Sequence, residues 1–442
     1  MGSFRYHFPC ASVPLVLALI LPCCRGANAK CTTTADCSYN GKCGADGVCD
    51  CLPQWSGPDG ERCDVLSFEP LDPRRGVGLR TVEAATGQQT SSWGGSILLG
   101  DNDAASPRND LWHMWSAEMT HSTGIKSWRT NSRVVYATAN RSSAQPWTFT
   151  RRAVAQPVFA HEPTVARAPT GEYVMMFTAN LAPGHTPGSQ CGPQCLCGTN
   201  GSSCLSCPNA QACPVRPASP LASGMSWSPT AHGPWSEPRY ISAPTTGDTN
   251  LACIIRRNSS LFCLGRPSLG ALTAPHWNDT AAYEWRRGVT YGRGEDPMIY
   301  EDATHEGVLH VLTHGGGWGD PYGFHYWSDD GGWNWNGTGA RAYGNNVTVV
   351  GERYKLLSRR ERPHMVLDAR GAPVALSTAV TEAWPCTTSA GVQPDRAPCH
   401  GFDPFAGKMP QPPCGVGSNG TILWCPLDYS YTLVQPLKTA KT

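Results

Sequence analysis

Carboxylates set beside prolines and histidines recur through this chain, and they are its best candidates for chemistry. Glu162 stands in His161-Glu162-Pro163, Glu295 and Asp296 in Arg293-Gly294-Glu295-Asp296-Pro297, Glu361 in Glu361-Arg362-Pro363-His364, and Asp248 in Asp248-Thr249-Asn250. Two carboxylates can divide acid–base work when the surroundings keep one protonated and the other ionised. On this reading Asp296 or Glu295 is the proton donor, Glu162 the base, and Asp248 their orienting partner. His161, Glu361, Arg362 and His364 are expected to contact substrate hydroxyls or an anionic group. Ion pairing with Arg293 and Arg362 is the bland explanation for the same residues, because structural networks imitate catalytic clusters.

The elements that carry these residues repeat. His161-Glu162-Pro163-Thr164-Val165 precedes Gly171 and the run Tyr173 to Thr178. Glu295-Asp296-Pro297-Met298-Ile299 precedes Gly307 and Leu309 to His314, and Arg362-Pro363-His364-Met365-Val366 precedes Gly371 and Val374 to Thr378. Two weaker copies start near Gly95 and Asp248. Each copy reads as strand, turn and second strand. A unit of this size cannot bury both faces alone, so stacking is required. Radial stacking gives a five-bladed β-propeller in which the first strand of each blade lines the axis. That arrangement gathers Glu162, Asp248, Asp296 and Glu361 around one funnel. The expected propeller spans residues 93–442, with Cys-rich insertions at about 181–223 and 382–425, and residues 65–92 read as a linker with room for a strand at its end that helps close the ring.

Composition sets the class. With 35 Lys and Arg against 34 Asp and Glu, no basic domain is present to neutralise phosphates, which argues against a nucleic-acid partner. Low charge with abundant Gly, Pro, Trp and Cys suits an all-β, disulfide-bearing exported protein. Residues 1–29 read as a signal peptide: Arg5 supplies a basic start, Ala11 to Pro22 an apolar run, and Ala27-Asn28-Ala29 a small-x-small cleavage site. No other stretch reaches the length of a transmembrane span. Asn-x-Ser/Thr sequons at Asn140, Asn200, Asn258, Asn278, Asn336, Asn346 and Asn419 are acceptors on a glycosylating secretory route.

Residues 30–64 form a small cysteine-framed module. Cys31, Cys37, Cys43, Cys49, Cys51 and Cys63, with the Cys49-Asp50-Cys51 spacing and Asn40-Gly41, resemble an epidermal-growth-factor-like (EGF-like) domain. The resemblance implies the pairs Cys31–Cys43, Cys37–Cys49 and Cys51–Cys63, and an extracellular protein as a partner of this module. The six cysteines from Cys191 to Cys213 are expected to form local disulfides rather than a zinc knuckle, because thiolate ligands need a reducing compartment. Cys253 and Cys263 are equidistant from Asn258 at a hairpin tip and would face each other across paired strands, so they are expected to bond.

The repeat of an acidic or Asn residue, Pro, a short strand, Gly and an aromatic strand is similar to the five-bladed propellers of the arabinanase, invertase and levansucrase superfamily, glycoside hydrolase families 43, 32 and 130. It covers residues 93 to the C-terminus. The resemblance implies a funnel-shaped site for an oligo- or polysaccharide, with three carboxylates and no cofactor, though it leaves room for a structural calcium in the channel. Glu295-Asp296-Pro297 resembles the acidic-Pro motif of a later blade. Blade one departs from the pattern: Trp93-Gly94-Gly95-Ser96 stands where the superfamily has an Asp, and Glu162, Glu361, Asp101 or Asp103 would have to substitute. A non-catalytic glycan-binding or extracellular interaction protein is the alternative expectation.

Overall fold

The computed structural model describes residues 30–439 apart from 58–61, 83–88, 101–109, 121–124, 126–127, 158, 181–220, 242–247, 316–321, 352–354, 383–386, 389–390 and 393–429. The expected signal segment, most of both Cys-rich insertions, and Asp101 and Asp103 lie outside the described residues. Within them, no helix is long and apolar enough to cross a membrane.

The chain is a five-bladed β-propeller preceded by a disulfide-rich module. Blade one comprises Ser92–Leu99, Leu111–Met119, Ser132–Asn140 and Thr148–Gln156. Blade two comprises Ala160–Arg167, Tyr173–Asn180, Leu221–Ser228 and Arg239–Ile241. Blade three comprises Ala252–Ile255, Leu261–Leu264, Ala271–Ala274 and Glu284–Arg286, and blade four Glu295–Glu301, Leu309–His314, Gly323–Ser328 and Arg341–Tyr343. Blade five is built from Lys355–Leu367, Pro373–Glu382 and Tyr431–Pro436. The five inner strands touch one another in cyclic order, the fifth against the first, so the ring is closed.

The final strand of blade five comes from the other end of the sequence. Gly78–Leu79 pairs antiparallel with Tyr431–Pro436 and parallel with Thr148–Gln156, joining the last blade to the first. Within 65–92 the strand that fastens the ring is Gly78–Leu79, two residues whose pairing is entirely non-local.

Strand periodicity explains the packing. Alternate side chains of one strand point to opposite faces, and in a propeller both faces meet a neighbouring blade. Tyr173, Met175 and Phe177 pack with Trp115, Val134 and Tyr136 of blade one, whereas Val174 and Met176 pack with Leu251, Leu261 and Leu272 of blade three. The tryptophans fill these wedges: Trp112 stacks on Trp147 with centroids 5.6 Å apart, and Trp227 meets Trp277 edge-on at 6.1 Å. Ser328, Asp330, Gly332 and Trp335 close a compact turn in which the Asp330 carboxylate accepts from the backbone amides of Trp333 and Asn334.

The N-terminal module is held by Cys31–Cys43, Cys37–Cys49 and Cys51–Cys63, a framework expected of a unit too small for its own core. It packs on blade four. Trp55 lies against His325 with ring centroids 4.7 Å apart, and Tyr39 meets Trp327 and His305 and donates to Asp329. Cys253 and Cys263 stand in direct register across blade three and are bonded.

Candidate functional site

The site is built on one backbone device used five times. Gly94, Glu162, Asn250, Asp296 and Arg362 all adopt left-handed φ, between 45° and 67°. In blades one, two, four and five the pairing register slips at this point, between Trp93 and Ser96, His161 and Thr164, Glu295 and Met298, and Glu361 and His364. A bulge re-aims the side chain at the start of the inner strand. For an L-residue a left-handed conformation costs roughly 1–2 kcal/mol, so four non-glycine residues in it mark a site held by its surroundings.

The device corrects two expectations. In blade three the equivalent residue is Asn250, not Asp248, which lies two positions earlier. In blade five it is Arg362, not Glu361, which lies one position earlier. In blade five the proline marks the position, since Glu162, Asp296 and Arg362 each precede one; in blade three Leu251 follows Asn250, and no proline marks it. Gly94 is the blade-one equivalent. A Cβ there would sit 3.1 Å from the Cβ of Arg362, so Arg362 occupies the neighbourhood that a blade-one side chain would need.

Arg362 is the hub, buried like the acids it serves. Its Nη1 lies 3.3 Å from the Asp296 carboxylate and 3.4 Å from that of Glu162, and its Nη2 donates to the Glu162 carbonyl at 3.1 Å. Asp296 also accepts from the Asn250 amide and lies 3.1 Å from His314 Nδ1. Arg266 bridges a second pair, 2.8 Å from Glu295 and 3.4 Å from Asp248, and Asp248 accepts from Thr178 at 2.8 Å. Glu162, Asp248, Glu295 and Asp296, gathered from distant parts of the sequence, are thus linked through two guanidinium groups and an imidazole. Asn250, Arg266 and His314 were missed in the sequence. His314 had a readable signal, since it ends the strand opposite Glu295.

His161 lies under a lid of aromatic surface, stacked on Trp128 at 4.8 Å with its Nδ1 against Ser132 and its Nε2 3.5 Å from Glu162. Glu361 pairs with Arg359 at 2.8 Å. His364, expected at the substrate, is instead beneath the mouth, where its ring contacts Ser96 at 3.0 Å and the Ile97 amide at 3.4 Å. The reason is periodicity: His364 is two residues along the inner strand from Arg362, one layer further down the channel. Pro163, Pro297 and Pro363 line a narrow space between the two layers.

Environment separates the carboxylates. Burial pushes Glu162 up to about 7, against the pull of Arg362, and pushes Glu295 up to about 7 with the help of the Asp296 charge. Burial and the Glu162 charge raise Asp248 to about 6. Asp296 is equally buried, yet Arg362 and His314 hold it well below the usual carboxylate range. Burial opposes charge on His314, but Asp296, Glu361 and Glu295 raise it to about 9. His161 is driven down to about 3, chiefly by burial. The cluster therefore offers one firmly ionised carboxylate and three that exchange protons near neutrality. Asp296, His314 and Glu361 also converge closely enough to share a cation, but Asp296 is already paired with Arg362.

No family model matches the chain, and no curated protein matches it in sequence. Among solved structures, a family 117 glycoside hydrolase of the marine bacterium Zobellia galactanivorans is similar, with 11% identity, 85% of this chain and 90% of that chain covered, and a TM-score of 0.47. The catalytic domain of the Coprinopsis cinerea GH62 α-L-arabinofuranosidase gives 10% identity, 85% and 99% coverage, and a TM-score of 0.46. A xylan β-1,4-xylosidase from Bacillus halodurans gives 11% identity, 68% and 54% coverage, and a TM-score of 0.42.

Proposed function

We propose that this protein is a secreted carbohydrate-active enzyme, a glycoside hydrolase whose carboxylates work at the mouth of the propeller channel on an oligo- or polysaccharide. One observation carries the reading: acids from blades two, three and four meet in one cluster whose surroundings pull their proton affinities apart. The separation falls between Glu295, near 7, and Asp296, held ionised, which is the condition for one proton-donating and one ionised carboxylate. Glu295 is the proton donor, since it retains its proton near neutrality while its neighbour cannot. Asp296 remains ionised and stabilises positive charge developing at the anomeric carbon. Glu162 is the base. As the glycosidic C–O bond breaks, the leaving oxygen takes the Glu295 proton, and water adds to the anomeric carbon while giving its proton to Glu162. Asp248, fixed by Thr178 and Arg266, orients the pair. The disulfides of the module and of blade three support an oxidising, extracellular destination.

Release of reducing sugar from a panel of glycosides and polysaccharides tests the reading. The expected rate profile is a bell centred near pH 7. Glu162→Gln should abolish its acidic limb and Glu295→Gln its alkaline limb, each lowering kcat by about 10²–10⁴-fold. Gly94 favours a second reading, glycan binding without cleavage, because the inner strand of blade one carries a glycine where those of blades two and four carry a carboxylate. Glycan-array binding that survives both substitutions, with no product from any substrate, would replace the first reading by the second.

A further inference from the structure

The sequons were scattered in the sequence, but the fold sorts them by face. Inner strands run from the carboxylate mouth to the opposite end of the channel, so the turns after first and third strands all lie on the far face. Asn140 ends the third strand of blade one, opposite Leu111. Asn258 sits at the hairpin tip between Ala252–Ile255 and Leu261–Leu264, and Asn278 is in the turn beside it, where the Trp277 amide donates to the Ser259 carbonyl. Asn336 pairs with Trp327 beyond the third strand of blade four. All four asparagines are exposed. Asn346 lies toward the other face, opposite Leu356, and Asn200 and Asn419 are outside the described residues.

Local geometry favours acceptance at two of them. The side-chain oxygen of Asn140 accepts from the amide and hydroxyl of Ser142 at 3.0 and 3.1 Å, and that of Asn258 from Ser260 at 3.1 and 2.7 Å. Each bond set uses the amide oxygen and the sequon hydroxyl and leaves Nδ2 toward solvent. The chain holds 17 asparagines, and seven head a sequon, more than twice what the usual frequency of Ser and Thr would supply.

We infer that Asn140, Asn258, Asn278 and Asn336 carry N-linked glycans that coat the far face of the propeller. Each Nδ2 attacks the anomeric carbon of a lipid-pyrophosphate-linked oligosaccharide. A C–N bond forms, the anomeric C–O bond breaks, the amide loses one proton, and the lipid pyrophosphate leaves. Of the four, Asn258 adjoins the cavity of about 630 Å³ at the far end of the channel, whose rim includes Arg257. The inference is independent of any activity at the carboxylate mouth.

The test is expression of the full chain in a secreting eukaryotic host, enzymatic glycan release in heavy-oxygen water, and peptide mass spectrometry. Each of the four asparagines is expected to convert to labelled Asp, and each single Asn→Gln variant to remove one mobility step while leaving secretion intact. A sequon in a glycoprotein native to the host serves as the control site for host competence. The inference is overturned if the control site is occupied and the four native sites are bare, or if the chain remains in the cytosol and never meets the transferase.

Discussion

At the scale of single residues, the cluster stores its charge unevenly, and this has a consequence for stability. Glu162 and Glu295 bind protons more tightly in the folded chain than in the unfolded one, where an ordinary Glu titrates near 4.5. Between about pH 4.5 and 7 the native state therefore holds more protons, and stability falls as pH rises through that window. His314 acts in the same direction: its contribution is complete below 6.5 and is lost as pH rises through about 9. Asp296 has the opposite sign, and its contribution is lost only in acid, below the ordinary Asp value of 3.8. Buried His161 and His364, both held down to about 3, have the opposite sign, since their contribution is lost as pH falls below 6.5, and they offset the two acids in that window. Tm should therefore decline from pH 7 to pH 9, where His314 dominates, and Glu162→Gln should make the change in Tm from pH 5 to pH 7 more positive than in the parent chain. An unchanged pH 5–7 profile in Glu162→Gln would contradict the burial of that acid.

At the scale of the element, the five left-handed residues make the bulge the functional unit of the inner strand. Asn250 shows how backbone and side chain share the work, since it adopts φ 45° and also donates to Asp296. Asn250→Ala keeps a Cβ in the left-handed region and removes a hydrogen bond to a charge, which together should cost about 3 kcal/mol. Asn250→Gly loses the bond but relaxes the backbone, and should cost about 1 kcal/mol less. Urea denaturation of both variants measures the difference. Equal losses would mean that the bulge is not strained. The repeats made the five inner strands legible in the sequence, because a proline or Gly-hydrophobic pattern marks each. The residue before the proline marks the bulge in blades two, four and five, which puts Arg362 rather than Glu361 at the equivalent position, whereas blade three lacks the proline and its Asn250 is fixed only by the fold.

At the scale of the whole molecule, closure depends on a strand of two residues. Leu79 is fully buried between blades five and one, among Ile97, Phe149 and Val434. Leu79→Ala should destabilise the propeller by about 2–5 kcal/mol, and a loss below about 1 kcal/mol in denaturant unfolding would show that the ring does not depend on this seam. The N-terminal module has a comparable architectural use, since Trp55 and Tyr39 spend their aromatic surface on blade four. Val48 and Leu52 of the module remain exposed.

The sequence by itself determined the local facts: alternating apolar strands, their fivefold recurrence, a cysteine framework too dense for a hydrophobic core, and acids at the starts of strands. Such patterns are written in neighbouring residues and need no knowledge of distant ones. Only the tertiary structure decided which acids share a counter-ion, that Arg362 stands over Gly94, and that Gly78 and Leu79 complete a sheet by pairing with Leu433 and Thr432, at the other end of the chain. Those outcomes depend on contacts between remote segments, and such contacts leave no period in the text.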